Sequence, residues 1–325
     1  MTQPQRQSTI IVTGAAGFIG SHTVDQLLYR GHRVIGVDNL STGSRNNLSR
    51  AHNSANFELH TRDLLDPGFM TGLCKQVRPD AIVHLAALVS VTRAEEEPQF
   101  NFRLNIEGTQ IIAEAARLAE VPRIVFASSA AVYGNNPAMP LHENDSTEPV
   151  GHYGTAKLMS EMLLHQYSRS YGITTVCNRY FNVFGPRQDP SSPYSGVISL
   201  FTDRYARNQP VTIFGDGEQT RDFISVHDVS YANTLAALTP NIESGSYNIC
   251  TGQARSLLDL IGVLQKDYGR SQSPNFDTPR GGDIKHSLGA PDKAAEAFGF
   301  RAHIDFSRAI AELNSVIRST QTKTA

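Results

Sequence analysis

Apolar residues in the first half of the chain come as short β-branched runs, set between longer segments of helical period. "STIIVTG" (8–14), "HRVIGVD" (32–38), "AIVHLAA" (81–87), "PRIVFASS" (122–129) and "TTVCNRYF" (174–181) read as strands. Runs this continuous suit strands buried on both faces. Helical patterns occupy 17–30, 98–119 and 154–171. Such alternation predicts an α/β fold in which helices cover both sides of a parallel sheet. After about Gly185 the pattern loosens. "GPRQDPSSPYSG" is rich in Pro and Ser and reads as loop. Beyond it, "PVTIFGDGEQTRDFISVHDV" and helical segments near 228–238 and 256–268 predict a second, smaller lobe. The expected division is 1–184 for the sheet domain and 185–325 for the lobe, with about 218–250 returning to the first.

Composition narrows the partners. The 325 residues are 40% hydrophobic and 18% charged, which suits a soluble globular chain. The formal charge is -2 with no long charge run, so neither nucleic acid nor a membrane surface is expected as the main partner. No apolar run approaches the ~18 residues of a membrane span, and "MTQPQRQSTIIV" has no signal-peptide core. Cys74, Cys177 and Cys250 are scattered, as buried thiols in a reducing compartment would be. The expected location is the cytoplasm. The 11 histidines include no H-E-x-x-H, so no metal site is expected. His84, ending a strand, reads as a satisfied core histidine.

"VTGAAGFIG" follows the first strand and opens the first helix, placing Gly14, Gly17 and Gly20 in a G-x-x-G-x-x-G spacing. Glycines let the backbone turn tightly and approach a pyrophosphate, and the helix start supplies free N–H groups. Asp38 ends the second strand, where an acid accepts the adenosine ribose hydroxyls and repels a 2′-phosphate, favouring NAD over NADP. Asp63, in "TRDLLD", is placed to cap the adenine amine.

"GHYGTAK" puts Tyr153 and Lys157 four residues apart, on one helix face. A phenol titrates near pH ~10, and a fixed cation beside it favours the phenolate. "FASSAAVYG" ends a strand at the ligand-facing edge of the sheet and brings Ser128 or Ser129 there. A hydroxyl, a phenol and an ammonium meeting beside a nicotinamide form a device for moving a proton with a hydride. Lys157 can also hold the nicotinamide ribose.

The stretches "TGAAGFIG", "VDNLSTG", "HLAA", "NIEGT", "SSAAVYG", "YGTAK", "RYFNVFGPRQ", "RDFISVHDV" and "RGGDIKHS" run from residue 13 to residue 287. In them the chain resembles the extended short-chain dehydrogenase/reductase family, in its nucleotide-sugar epimerase/dehydratase branch. The resemblance implies a Rossmann-type doubly wound sheet with a smaller C-terminal substrate-binding lobe. It also implies catalysis by Ser129, Tyr153 and Lys157, and NAD bound additionally by Phe18, Ile19, Asn39, Leu64, Ala86, Asn105 and Tyr180. Dehydratases of the branch carry an Asp-Glu pair directly after the catalytic hydroxyl residue, where this chain has Ala130 and Ala131. What remains is similar to the UDP-hexose 4-epimerases.

By that resemblance, Asn182, Gly196, Val197, Phe214, Arg221 and Arg280 hold the UDP-sugar, guanidinium forks matching a diphosphate. Ser287 takes the place of a gate residue, which as tyrosine restricts the pocket to plain hexoses and as a small residue admits an N-acetyl group. Ser90 is similar to a substrate-contacting serine of the acetyl-accepting subgroup. The expected reaction interconverts UDP-N-acetylglucosamine and UDP-N-acetylgalactosamine, with UDP-glucose and UDP-galactose as a further pair. Val89 and Phe223 stand where relatives carry glycine or lysine and tyrosine. A UDP-glucuronate 4-epimerase or decarboxylase uses the same trio, and an inactive NAD-sensing protein would need only the cradle. The resemblance further implies a homodimer built on a four-helix bundle of 98–119 and 154–171.

Overall fold

The computed structural model describes residues 6–189, 196–279 and 285–324, with side chains to 319. The first half runs β1 Thr9–Thr13, α1 Phe18–Tyr29, β2 Arg33–Asp38, β3 Phe57–Thr61, α2 Phe69–Val77 and β4 Ala81–His84. It continues through α3 Val91–Glu96, α4 Pro98–Phe102, α5 Gly108–Leu118, β5 Arg123–Ser129, α6 Gly151–Tyr171, β6 Thr174–Tyr180 and β7 Asn182–Phe184. Then follow α7 Val197–Ala206, β8 Thr212–Phe214, β9 Thr220–Ser225, α8 Val226–Leu238 and β10 Gly245–Ile249. The described chain closes with β11 Ala254–Ser256, α9 Leu257–Tyr268, β12 Asn275–Asp277, α10 Asp292–Phe298 and α11 Phe306–Thr324.

Seven strands form one sheet in the order β3-β2-β1-β4-β5-β6-β10, every neighbouring pair parallel. Successive side chains of a strand face opposite sides, and here both sides are buried. Ile10, Val12, Val34, Val83 and Val125 pack with α1 and α8 on one face. Ile11, Ile35, Ile82, Ile124 and Phe126 pack toward α2, α5 and α6 on the other. That double burial is why the strands read as continuous apolar runs. It is the Rossmann-type doubly wound fold, and strand order reverses between β1 and β4, which opens a crevice at their carboxyl ends.

Two expected elements differ. The strand expected over 81–87 ends at His84, because Leu85 and Ala86 turn their N–H groups onto Thr13 Oγ1, each at 3.2 Å. The helix expected over 98–119 widens to a π-helical turn at Arg103–Glu107. There the Asn105 carbonyl accepts from Thr109 Oγ1 at 2.6 Å and from Ser160 Oγ at 3.0 Å.

A second core lies away from the sheet, where Phe184, Phe201, Tyr205, Phe223, Leu260 and Ile310 join α7, α9 and α11. Over it, β11, β9 and β7 make a three-stranded sheet, while β12 pairs with β8. Between 218 and 250 the chain gives β9 to the small sheet, and α8 and β10 to the large one. Among the described residues no helix is long and apolar enough to cross a membrane.

Candidate active site

The crevice at the carboxyl ends of β1, β4 and β5 holds a cavity of about 390 Å³. The glycine loop forms its floor. Gly14 has φ +68, and a Cβ there would lie 2.8 Å from the Ala86 nitrogen. A Cβ on Gly20 would overlap the Gly14 carbonyl oxygen. Gly17 caps α1 without a side-chain partner, and the first turn carries no acid. The helix therefore presents its first N–H groups to the cavity, lined here by Phe18 and Ile19.

At one end of the cavity, Asp38 accepts from the Ala16 and Leu40 N–H groups, both at 2.8 Å, so its carboxylate is held in place with further acceptor positions to offer. Asp63 accepts from Asn39 Nδ2 at 2.9 Å and from the Leu65 N–H at 2.9 Å. Asp38, Asn39, Asp63, Leu64 and Ala86 all line the cavity.

The other end is built by β5 and α6. Ser129, Tyr153, Lys157 and Tyr180 line it together. Ser129 is the polar neighbour of the Tyr153 hydroxyl, and Ser129 Oγ accepts from the Ala131 N–H at 3.1 Å. Lys157 Nζ donates to the Ala127 carbonyl at 2.7 Å and lies 5.8 Å from the centre of the Tyr153 ring. Burial raises the Tyr153 phenol, and the neighbouring Ser129 hydroxyl works against that rise. Burial also lowers the Lys157 ammonium to about 7, with Glu161 opposing. The lysine bonds to the strand carbonyl.

Three expected contacts lie elsewhere. Asn105 is buried behind the cavity, its amide donating to Leu88 O at 3.0 Å and accepting from Leu88 N at 2.9 Å. It shapes the loop after β4 and lines neither this cavity nor the second one below. Ser90 is buried as the cap of α3, accepting from the Arg93 N–H at 2.9 Å. Ser287 sits at the rim of the small sheet, its N–H on the Thr220 carbonyl at 3.1 Å, and lines neither cavity. Arg280 falls outside the described residues.

A second cavity of about 470 Å³ adjoins the first, and Asn182, Gly196, Val197, Phe214 and Arg221 line it. Val183 and Gln188 line both cavities, so they stand at the passage between them. Sequence reading passed over Gln188, the last residue of "RYFNVFGPRQ", since a lone amide in a loop carries no pattern. His84 is satisfied as a core residue: its Nδ1 lies 2.8 Å from Thr13 Oγ1 and its Nε2 3.3 Å from Thr109 Oγ1. Thr13 Oγ1 already accepts two N–H groups, so its proton goes to Nδ1 and the imidazole carries its own on Nε2.

The NAD dependent epimerase/dehydratase family profile matches residues 10–250. The chain belongs to that family. It is 38% identical to the UDP-glucose 4-epimerase of Mycolicibacterium smegmatis over 310 residues, 95% of this chain and 98% of the relative. Among solved structures it is similar to the UDP-glucose 4-epimerase of Thermotoga maritima crystallised with UDP-glucose, at TM-score 0.90 and 36% identity, covering 96% of this chain and 99% of that one. It is also similar to the UDP-N-acetylglucosamine 4-epimerase of Methanobrevibacter ruminantium in complex with UDP-N-acetylmuramic acid, at TM-score 0.92 and 35% identity, covering 97% and 100%.

The cofactor of this epimerase-family chain is NAD, and the residues fit it. A cradle that a Cβ would fill, an uncapped helix start and a held carboxylate ending β2 suit a diphosphate and a ribose diol.

Proposed function

We propose that the protein inverts C4 of a UDP-hexose, favouring UDP-N-acetylglucosamine and UDP-N-acetylgalactosamine and also accepting UDP-glucose and UDP-galactose. The observation that carries this reading is the meeting of Ser129, Tyr153 and Lys157 in the cavity that contains the glycine cradle, beside a second cavity with an arginine. The relatives named for UDP-glucose and for UDP-N-acetylglucosamine support both sugar classes.

Bound NAD supplies the hydride acceptor and, once reduced, the donor, so no net redox occurs. Gly14, Gly17 and Gly20 let its diphosphate reach the start of α1, Asp38 takes the adenosine ribose, and Lys157 holds the nicotinamide ribose. Tyr153 Oη removes the C4 hydroxyl proton and returns it to the same oxygen after the sugar has turned its other face to the nicotinamide, which is what inverts C4. Ser129 bonds the same sugar oxygen and relays that proton. Arg221, with Asn182 and the backbone at Gly196 and Val197, anchors the UDP while the 4-keto sugar turns. Phe214 offers a face to the uracil. Ala130 and Ala131, in the turn after Ser129, offer no acid for dehydration. Ser287, which lines neither cavity but is held to Thr220 beside Arg221, takes the gate position by family resemblance, its small side chain leaving room for the acetamido group.

Tyr153→Phe tests the assignment. The variant should keep its bound NAD, read from absorbance of the released nucleotide, and lose all turnover. Turnover at the wild-type rate would refute it.

A further inference from the structure

The three residues that end β5 each make a separate tie to α6. The Ala127 carbonyl accepts from Lys157, the Ser128 hydroxyl donates to Glu161 Oε1, and Ser129 stands against Tyr153 in the first cavity. On the helix, Tyr153, Lys157 and Glu161 stand four apart, in one row along one face. Two of the three ties belong to the reaction proposed above. The third has no part in that reaction: Ser128 lines the first cavity, but Glu161, which holds it, lines neither.

Glu161 is 2% exposed, yet it is surrounded by charge. Arg179 donates to its Oε2 through Nη2 at 2.7 Å and to its Oε1 through Nε at 3.0 Å. Arg179 lies directly opposite Ser128 in the β5–β6 register, so the guanidinium rises beside the clasp. Ser246, on β10, donates to Oε2 at 2.8 Å. Arg179 further donates to the Glu143 carbonyl at 3.1 Å and to Tyr133 Oη at 3.0 Å. Desolvating such a pair is expensive, and apolar side chains of the same volume commonly hold two elements together as well or better. Stability alone therefore does not account for a carboxylate here.

We propose that Glu161 is a positioning residue, clasping the end of β5 to α6 through Ser128 so that Ser129, Tyr153 and Lys157 keep the spacing that proton transfer requires. The proposal rests on the epimerase reading of that trio. Its charge acts on the same row, favouring the Lys157 ammonium one turn away. The groups facing Glu161 are Arg179 and Cys177 from β6, Ser128 from β5, Ser246 from β10, and Lys157 and His165 on α6.

Ser128→Ala in the NAD-loaded enzyme removes the clasp and leaves the ion pair. With the sugar nucleotide that the wild type turns over, kcat should fall on the order of tenfold to a hundredfold, with KM and bound NAD unchanged. Ser128→Thr, which keeps the hydroxyl, should recover most of it. A Ser128→Ala kcat within twofold of wild type overturns the clasp. The second measurement needs no turnover: an NMR titration of the Lys157 amine in Glu161→Gln, where its pKa should drop by at least about half a unit because a nearby anion is gone. An unmoved titration overturns the charge role. If Glu161→Gln fails to fold, Glu161→Met with Arg179→Met removes both charges, and a smaller downward shift is expected, because the arginine cation, which opposes the ammonium, goes with the anion. A wild type that epimerises no sugar nucleotide would sink the functional reading alone, and the titration would still decide the role of Glu161.

Discussion

The Lys157 amine rests on the Ala127 carbonyl at 2% exposure, and burial brings its pKa from 10.5 down to about 7. That depression is a stability statement, since the unfolded chain holds the proton more tightly than the folded one. The sign follows: the contribution is favourable above pH 10.5, is lost as pH falls toward 7, and is constant below. At about 1.4 kcal/mol per pKa unit, the charged amine costs the fold roughly 4 to 5 kcal/mol at pH 7 and about 2 kcal/mol at pH 9. Methionine fills nearly the same volume without the charge, forfeiting one hydrogen bond of about 1 kcal/mol. Lys157→Met should therefore be more stable than wild type by about 3 kcal/mol at pH 7 and by about 1 kcal/mol at pH 9, while losing turnover. Urea unfolding of both chains, stripped of nucleotide, at the two pH values reads this directly. A difference that does not change with pH, or a variant less stable at both, would refute the reasoning.

Other substitutions probe the remaining parts. Gly20→Ala should weaken NAD binding on the order of tenfold or more, because its Cβ would overlap the Gly14 carbonyl; nucleotide retention on gel filtration checks it. Asp38→Ser should cost about tenfold in NAD affinity and narrow the preference over NADP, measured by calorimetric titration with each. Ser287→Tyr should selectively lower kcat/KM for N-acetylated sugars, and equal losses on both sugar classes would contradict the gate. Met162 is 63% exposed on α6. If the helices 98–119 and 154–171 pair two copies as the family resemblance implies, Met162→Lys should lower the sedimentation coefficient toward that of a monomer.

Five of the seven strands of the large sheet were legible in the sequence because they are buried on both faces and run as continuous apolar stretches; Phe57–Thr61 and Gly245–Ile249, interrupted by Glu58, His60, Ser246 and Asn248, were not. Ile10 and Ile11 face opposite cores, and neither position tolerates polarity. The small sheets were not legible. Strands such as Asn182–Phe184 and Ala254–Ser256 are three residues long and show no period. The glycine loop and the Tyr153–Lys157 row could be read because their spacing is local. Ser128–Glu161 spans 33 residues and Asn105–Leu88 spans 17, so no local pattern announces either. The helix-capping bond of the Ser90 hydroxyl had no such pattern either. Spacing places an ammonium near a phenol, but only the fold shows both shut away from water.

The central claim is inversion at C4 with cofactor already in place. Purified protein, with no nucleotide added, should be incubated separately with UDP-N-acetylglucosamine, UDP-glucose and UDP-glucuronate, and the anomeric and C4 protons followed by NMR. Appearance of UDP-N-acetylgalactosamine, with UDP-galactose from UDP-glucose, is the expected result. Turnover of UDP-glucuronate alone would contradict the account of the sugar pocket, and no inversion of any of the three would contradict the account as a whole.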